Sequence, residues 1–429
     1  MKIQNVCRKV LGLAVAAALL VSACACGSGT RLSGGTIDLM KDVKPSSGKH
    51  SVEVNEQFVS EYRQFAFRLF QQTAFQEELS SVNQDKSFMI SPLSVMPALG
   101  MTVNGADGET AAQMMEVLAG QPSDMAELNA QWSAFAAGLP SSKKAKLSMA
   151  NSIWVRDGVM EPNQDFLQTN RDSFHADIFS AKFDDGTVKD INQWVSRHTD
   201  GMIDKMLENI SPSAMMFLIN ALAFDAEWKE IYTTEQVRKG TFHGTTGDQK
   251  VEMMGSDEDC YLEDDKATGF LKPYVSGYSF MVMLPNEGVS VGEYIGGWSA
   301  EKYASLLANA RTTTVSATMP KFSQTYEADL NNVLRAMGMT DAFEQDKADF
   351  SRMGKTVSGD NLYISRVQHK TFISVDERGT KAGAATSVSM DCGSALMIPV
   401  VYCDRPFVYC IIENETQLPV FMGAVMNVQ

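Results

Sequence analysis

The chain has 429 residues, of which 44% are hydrophobic, and its formal net charge is −15. This length allows a large buried core and by itself would suggest two or three domains. Because the chain is so acidic, it is a poor partner for nucleic acid or an anionic membrane surface, and we expect no nucleic-acid ligand.

Residues 1–23 are predicted to form a targeting segment. Three basic residues precede an apolar run at 10–21, which is too short to cross a bilayer as a permanent helix. The run ends in Val21-Ser22-Ala23-Cys24, which is similar to the box at which bacterial lipoproteins are cleaved and lipidated. We therefore expect a lipid on Cys24. An ordinary secretory signal that happens to contain cysteine is the alternative.

Residues 24–53 are rich in Gly, Ser and Lys and show no periodicity, which is typical of a flexible tether. The body of the protein is expected at 54–429. Together with the lipid, this arrangement predicts a protein of the cell envelope, anchored to a bacterial membrane and facing the periplasm or the cell surface.

The other cysteines give no zinc pattern. Beyond Cys7 in the targeting segment and Cys24, an odd number remain, namely Cys26, Cys260, Cys392, Cys403 and Cys410. We expect reduced or partly free thiols, most of them packed as small hydrophobic side chains, although pairing among the last three stays open.

Helices are predicted mainly in the first half of the body. Apolar residues recur at helical spacing over 54–75. A second helix is expected to begin with Ser91 as its cap and Pro92 at its first position. Further helices are predicted over 107–118 and 190–208.

Strands are predicted mainly in the second half, with alternating or continuous apolar runs. The expected strands are 147–155, 215–224, 277–284, 313–319, 407–412 and 420–425. This order favours an α+β fold with mostly antiparallel sheets, and the absence of a linker after residue 54 favours one continuous unit.

No catalytic or metal-binding arrangement is evident among the sequence motifs. The five histidines show neither metal-ligand spacing nor a nucleophile partner in a known local motif. An acidic cluster at 257–265 lacks the register of a calcium loop, so we interpret it as a solvated turn. We expect no enzyme activity, no catalytic residue, no metal and no cofactor.

The most unusual segment is 375–394, VDERGTKAGAATSVSMDCGS. Every second residue from Thr380 is small or apolar, which is typical of a half-buried strand. Three glycines, however, weaken any permanent strand. The segment is therefore patterned as a strand but composed as a loop, which predicts a loop that can insert into a sheet.

Several stretches together resemble the serpin family. They are FMISPLS at 88–94, NGADGET at 104–110, INQWV at 191–195, TDGMI at 199–203, PKF at 320–322, MGMTDAF at 337–343 and VYCDRPFVYCI at 401–411. The resemblance runs in order from about residue 54 to residue 429. Each motif is weak alone, whereas the ordered set is specific.

This resemblance implies a single domain with three mainly antiparallel β-sheets, eight or nine helices and an exposed reactive-centre loop. It also implies a suicide inhibitor that targets serine or cysteine proteases and traps them covalently when its cut loop inserts into the large sheet. We expect a monomer. A lipid-anchored binding protein that kept the fold and lost inhibition is the alternative.

The family's functional residues are carried over by position. Ser91, Ser94, Asn220 and His369 match the shutter region beneath the sheet that must open, and Trp228 matches the breach, where insertion begins. The hinge of the loop corresponds to Glu377, Gly379, Thr380, Ala382 and Ala384. The inward positions from Thr380 to Met390 carry neither charge nor proline, so the loop is predicted to be competent to insert.

The scissile bond is predicted only approximately. The usual family spacing from Glu377 gives Gly393-Ser394, whereas counting back from Pro406 gives Ala395, and Met390 and Cys392 are further alternatives. No Arg or Lys lies between Met390 and Val401, so trypsin-like targets are disfavoured. Small and apolar residues suit elastase-like, subtilisin-like or papain-like proteases.

Overall fold

The computed structural model describes residues 32, 35–46, 52–79, 85–120, 124–357, 359, 361–380 and 398–428. From residue 33 onward they belong to one compact unit. The targeting segment, Cys24 and much of the expected tether lie outside the described residues. So do Ala382, Ala384 and every candidate for the scissile bond, namely Met390, Cys392, Gly393, Ser394 and Ala395.

Nine α-helices and two short 3₁₀ helices occur within the described ranges. The α-helices are α1 (Glu56–Leu79), α2 (Pro92–Val103), α3 (Gly108–Ala119), α4 (Met125–Gly138), α5 (Gln164–Phe174), α6 (Asp185–His198), α7 (Val291–Gly296), α8 (Ala300–Ala308) and α9 (Asn331–Met337). The 3₁₀ helices are Thr234–Gln236 and Asp341–Phe343.

The strands lie mostly in the second half of the chain. They are β1 (Ile37–Asp38), β2 (Phe88–Ile90), β3 (Ala145–Arg156), β4 (Met160–Pro162), β5 (Asp177–Ala181), β6 (Met216–Glu227), β7 (Val237–Gly244), β8 (Gly247–Glu263), β9 (Ala267–Pro273), β10 (Tyr278–Pro285), β11 (Arg311–Pro320), β12 (Phe322–Asp329), β13 (Gly354–Thr356), β14 (Ile364–Val375), β15 (Gly379–Thr380), β16 (Val400–Tyr402), β17 (Phe407–Glu413) and β18 (Pro419–Val425).

These strands form three sheets. Sheet A has the order β1-β5-β3-β6-β15-β14-β12, and sheet B has the order β16-β11-β8-β9-β10-β17-β18-β2 with β7 paired to β8. Sheet C pairs β13 with β4. The pairs β3–β5, β6–β14 and β11–β16 are parallel and the others are antiparallel, so the predicted α+β fold with mainly antiparallel sheets is confirmed.

Helix α2 lies at the centre of the core. All of its residues are buried, and it contacts β3 and β6 of sheet A and β18 of sheet B. Its start follows the predicted chemistry: the Ser91 side chain accepts a hydrogen bond from the Ser94 N–H, and Pro92 occupies the first position. Strands β10, β17 and β18 are buried along their whole length.

The predicted helix over 190–208 is wrong beyond His198. Helix α6 ends there, and Asp200 and Gly201 adopt left-handed φ values of 50° and 73°. The Asn192 side chain then accepts hydrogen bonds from the N–H groups of Met206 and Leu207, at 2.7 and 2.9 Å. The apolar residues that suggested a longer helix therefore belong to a segment that folds back along α6.

The acidic cluster is not the solvated turn that its composition suggests. Much of it lies in β8, where Asp257 and Asp259 face solvent and Glu258 between them is buried. Glu258 Oε1 lies 2.6 Å from Lys272 Nζ, which is buried as well. A strand places alternate residues on opposite faces, so one acidic residue of this run faces inward and finds a cation there.

Part of the expected tether is structured. Ile37 and Asp38 pair with β5, Met40 is fully buried, and the Thr36 hydroxyl donates to the Asp190 carboxylate at 2.8 Å. Arg171 donates to the carbonyl of Met40 at 2.9 Å. Residues 36–40 therefore extend sheet A instead of forming a free linker. In the part of the chain that the structure describes, no helix is long and apolar enough to cross a membrane.

Candidate functional site

The candidate site is the seam between β6 and β14 of sheet A. These two strands run parallel, with eight register pairs from Met216–Ile364 to Ala223–Phe372. Past Phe372 they no longer pair with each other, and β15 lies between them. Thr380 pairs with Ala226 of β6 on one side and with Val375 of β14 on the other.

A tight turn joins β14 to β15. The Asp376 N–H donates to the Gly379 carbonyl at 2.9 Å, and the Asp376 carboxylate accepts from the N–H groups of Arg378 and Gly379. This use of an Asp side chain within a turn is a common local solution. A Cβ atom on Gly379 would lie 2.0 Å from the Ala226 carbonyl oxygen, so only glycine allows β15 to approach β6 this closely.

Trp228 and Tyr232 hold the turn through its carbonyl groups. The Trp228 indole Nε1–H donates to the Asp376 carbonyl at 2.9 Å, and its backbone N–H donates to the Arg378 carbonyl at 2.8 Å. The Tyr232 N–H donates to the Glu377 carbonyl at 2.8 Å. Three consecutive carbonyl groups of the turn are therefore fixed by the segment that follows β6.

The side chains of the turn are held by Tyr274, which follows β9, and by Lys321, which lies between β11 and β12. The Thr380 hydroxyl is fully buried and lies 2.6 Å from the hydroxyl of Tyr274, whose ring stacks on Trp228 with centroids 4.4 Å apart. The Glu377 carboxylate lies 2.7 Å from Lys321 Nζ. The hydrogen bond from Lys321 lowers the pKa of Glu377, whereas burial raises the pKa of the neighbouring Asp376.

A buried cation lies beneath the two aromatic residues. Lys272 Nζ lies 4.3 Å from the ring centroid of Tyr232 and 5.5 Å from that of Trp228, which are cation–π distances. Its counter-charge is Glu258, which also accepts a hydrogen bond from the Ser256 hydroxyl at 2.6 Å. The ion pair, the two rings and the turn form one connected layer.

A second cluster lies lower in the seam, where β6 meets β14. Asn220 and His369 are direct register partners, and His369 Nδ1 donates to the Asn220 side-chain oxygen. His369 Nε2 accepts from the Ser91 N–H at 3.2 Å, which fixes the neutral tautomer. Burial lowers the pKa of His369 to about 3, so the imidazole is uncharged at neutral pH. Ser94 donates to the same Asn220 oxygen at 3.5 Å.

Asn220 leaves one donor unused. Among the described residues, no acceptor lies within hydrogen-bond distance of its buried Nδ2. Asn220 accepts hydrogen bonds from His369 and Ser94 through its side-chain oxygen, so its known partners lie on β14 and at the start of α2.

The structure brings the predicted residues together in two groups. Trp228, Glu377, Gly379 and Thr380 meet at the end of the seam, and Ser91, Ser94, Asn220 and His369 meet in its lower part. Sequence reasoning missed Tyr232, Lys272 and Tyr274, and it included Lys321 only within the PKF motif, without a role. The contacts of these residues could not be found locally, because they come from separate segments and meet only in the folded chain.

Burial is also evident at the cysteines that the structure describes. Cys403 and Cys410 are fully buried, and burial raises the pKa of both thiols. Cys260 is free as well and partly exposed. At these three positions the thiols are reduced, and the two buried ones are packed in the hydrophobic core.

Comparison with known proteins gives one family. The family model for serpins, described as serine protease inhibitors, matches residues 60–428. An uncharacterised serpin-like protein of Thermococcus kodakarensis is 31% identical over 382 residues, which cover 86% of this chain and 85% of that protein.

Solved structures agree with the family match. The thermophilic serpin tengpin in its native state is 45% identical, with a TM-score of 0.86 over 92% of this chain and 100% of tengpin. Tengpin in its latent state is 43% identical, with a TM-score of 0.77 over 89% of this chain and 100% of that chain. Both the predicted family and the predicted fold are confirmed. The chain belongs to the serpin family, whose members are mostly protease inhibitors.

Proposed function

We propose that this serpin is a loop-insertion inhibitor of serine endopeptidases with elastase-like or subtilisin-like specificity, and that papain-like cysteine proteases are further targets. The protease nucleophile attacks the carbonyl carbon of an exposed loop bond and forms an acyl-enzyme, and the amine of the following residue leaves as a new N-terminus. The cut loop then enters sheet A between β6 and β14. Deacylation stops, and the protease stays covalently bound.

The observation that carries the proposal is the position of β15. Thr380 already pairs with both β6 and β14, and its side chain faces the core toward Tyr274. Insertion would therefore lengthen an existing hairpin and need not start a new one. Because strand side chains alternate, Ala382 and Ala384 would follow Thr380 on the inward face, where their small size fits.

The seam offers a suitable path for insertion. Eight parallel register pairs between β6 and β14 would be exchanged for antiparallel pairing of the loop on both sides. The inserted residues gain backbone hydrogen bonds, and every second one buries its side chain on the inward face. Both terms favour the inserted state once cleavage frees the loop.

Specificity is proposed from the loop sequence. Gly393-Ser394 is the preferred bond, with Met390, Cys392 and Ala395 as alternatives, and none of these residues carries a positive charge. A trypsin-like pocket requires a cation and should therefore be a poor match. Small and medium apolar residues fit the narrow or hydrophobic pockets of the proposed targets.

The test is a panel of elastase, subtilisin, papain and trypsin mixed with the protein. We expect a covalent complex that survives boiling in detergent with at least one of the first three, and a new N-terminus within residues 391–398. Thr380→Arg should abolish the complex and leave cleavage intact, because it forces a charge into the seam. Cleavage of the wild type without a complex would instead support the non-inhibitory binding protein.

We further propose that the protein is lipidated at Cys24 and held in the cell envelope. The support is the lipoprotein-like box in the sequence. Metabolic labelling with a fatty acid should tag the wild type and the control variant Cys26→Ala, whereas Cys24→Ala should remain unlabelled. Label retained on Cys24→Ala would contradict this assignment.

A further inference from the structure

Three exposed apolar side chains form a stripe on the edge of sheet B. Ile398, Val400 and Tyr402 are 41%, 66% and 43% exposed, whereas Val401 and Cys403 are fully buried. The period of two follows from the strand geometry of β16, which directs alternate residues toward solvent. We call these three residues the edge stripe.

The edge stripe is unusual for a strand at this position. Strand β16 pairs with β11 on one side and is the outermost strand of sheet B in the described part of the chain. Edge strands commonly carry charged side chains on their exposed positions, which prevents unwanted association. A cluster of exposed apolar side chains is instead typical of an interaction site.

The place of the stripe along the chain indicates its partner. It begins directly after the loop, and Ile398 lies four residue steps beyond Ser394, with three residues between them. Four extended residues span at most about 14 Å. A protease of about 220 residues has a radius of gyration of about 17 Å. A protease positioned on the loop therefore extends over the edge stripe.

We propose that the edge stripe is a docking surface for the protease that attacks the loop. It would contact an apolar rim on the side of the protease that receives the residues after the cut bond. This inference rests on the proposed function. Because β16 is fixed to β11, the contact would form in the encounter complex before cleavage and would make no contribution to later insertion.

The experiment compares two sets of variants of the full-length protein. The double variant Val400→Thr, Tyr402→Thr keeps residues suited to a strand and removes apolar surface. Val357→Thr is the matched control, because Val357 is 58% exposed and lies outside sheet B. The readouts are the association rate constant with subtilisin and elastase, the number of inhibitor molecules consumed per trapped protease, and the salt dependence of both.

We expect the double variant to associate with the protease about tenfold more slowly than the wild type, which is about threefold for each substituted site. The number of inhibitor molecules consumed per trapped protease should stay the same. The ratio of variant to wild-type rates should be the same at low and high salt, since the contact is apolar. The control should match the wild type. If the protease cuts the wild type without becoming trapped, the proposed inhibition fails. The docking surface is then tested by the rate of loop cleavage, which should still be about tenfold lower in the double variant than in the wild type.

Several results would overturn the docking surface. Wild-type rates in the double variant would do so, as would an equal loss in the control. A changed consumption ratio at a constant association rate would assign the residues to insertion instead. A wild-type dimer in sedimentation that the double variant dissociates would assign the stripe to a second copy. A loop that neither protease cuts would overturn both proposals.

Discussion

The buried ion pair beneath the turn between β14 and β15 supports a quantitative prediction. Lys272 Nζ lies 2.6 Å from Glu258 Oε1, and the two side chains are only 2% and 8% exposed. The pair contacts Trp228 and Tyr232 through Lys272, and these two residues hold the turn between β14 and β15. Lys272→Met keeps a side chain of similar length but leaves the Glu258 carboxylate buried without its cation.

The expected loss follows from the burial of the remaining charge. Breaking a buried pair by removing one partner typically costs about 3–5 kcal/mol. The double variant Lys272→Met, Glu258→Met should lose much less, because no charge then remains in the low-dielectric interior. Lys266→Met is the matched control. Lys266 pairs with Glu293 at the same 2.6 Å but is 36% exposed, so its loss should stay below about 1 kcal/mol.

Urea unfolding of the uncleaved protein, followed by tryptophan fluorescence, measures these free energies. In the single variant Lys272→Met, the turn should also lose its support, and trapping of protease should become less efficient. If Lys272→Met unfolds within about 1 kcal/mol of Lys266→Met, the layer beneath the hinge does not support the fold in the way that the geometry indicates.

Three further predictions concern individual residues at the turn and the seam. Lys321→Met removes the ion pairs with Glu377 at 2.7 Å and Glu252 at 3.1 Å and should lower stability by about 0.5 kcal/mol at neutral pH. The pKa of Glu377 is lower in the folded state than in the unfolded chain, so the ion pair contributes its full stability above the unfolded-state pKa. This contribution disappears as the pH falls through the lowered pKa. An equal difference in stability between wild type and Lys321→Met at pH 3 and at pH 7 would contradict the prediction. His369, with its pKa lowered to about 3, stays neutral in the fold while the unfolded chain takes up a proton below about pH 6.5. Stability should therefore fall by up to about 1.4 kcal/mol per pH unit between those values, and His369→Gln should flatten this slope in urea titrations at several pH values. Gly379→Ala would place a Cβ 2.0 Å from the Ala226 carbonyl oxygen and should raise the amount of inhibitor consumed per trapped protease, whereas Gly138→Ala, with open space around it, should not.

Much of the architecture could be predicted from the sequence because its signals are local. The Ser91-Pro92 start of α2 depends on capping chemistry within one turn, and the structure has it as expected. The buried strands β6, β10, β17 and β18 were visible as continuous apolar runs. The assignment of Glu377, Gly379 and Thr380 to a hinge rests on resemblance to a family pattern and stays a prediction; in the structure these residues lie at the end of the seam.

What could not be predicted depends on contacts between distant segments. Helix α6 ends at His198 before the left-handed residues Asp200 and Gly201, and the Asn192 side chain then accepts hydrogen bonds from the returning segment, a contact that apolar spacing does not reveal. The burial of Glu258 could not be predicted from the acidic run around it, because its partner Lys272 lies on the next strand. Ile37 and Asp38 form a short strand by pairing with β5, and two residues are too few to show a strand pattern in the sequence.

Thermal unfolding before and after cleavage of the loop tests most directly whether the cut loop completes sheet A. A single cut within residues 391–398 that inserts the loop between β6 and β14 should raise the melting temperature sharply, and the cleaved form should no longer trap protease. An unchanged or lower melting temperature after that cut would show that the seam does not accept the loop and would contradict the account.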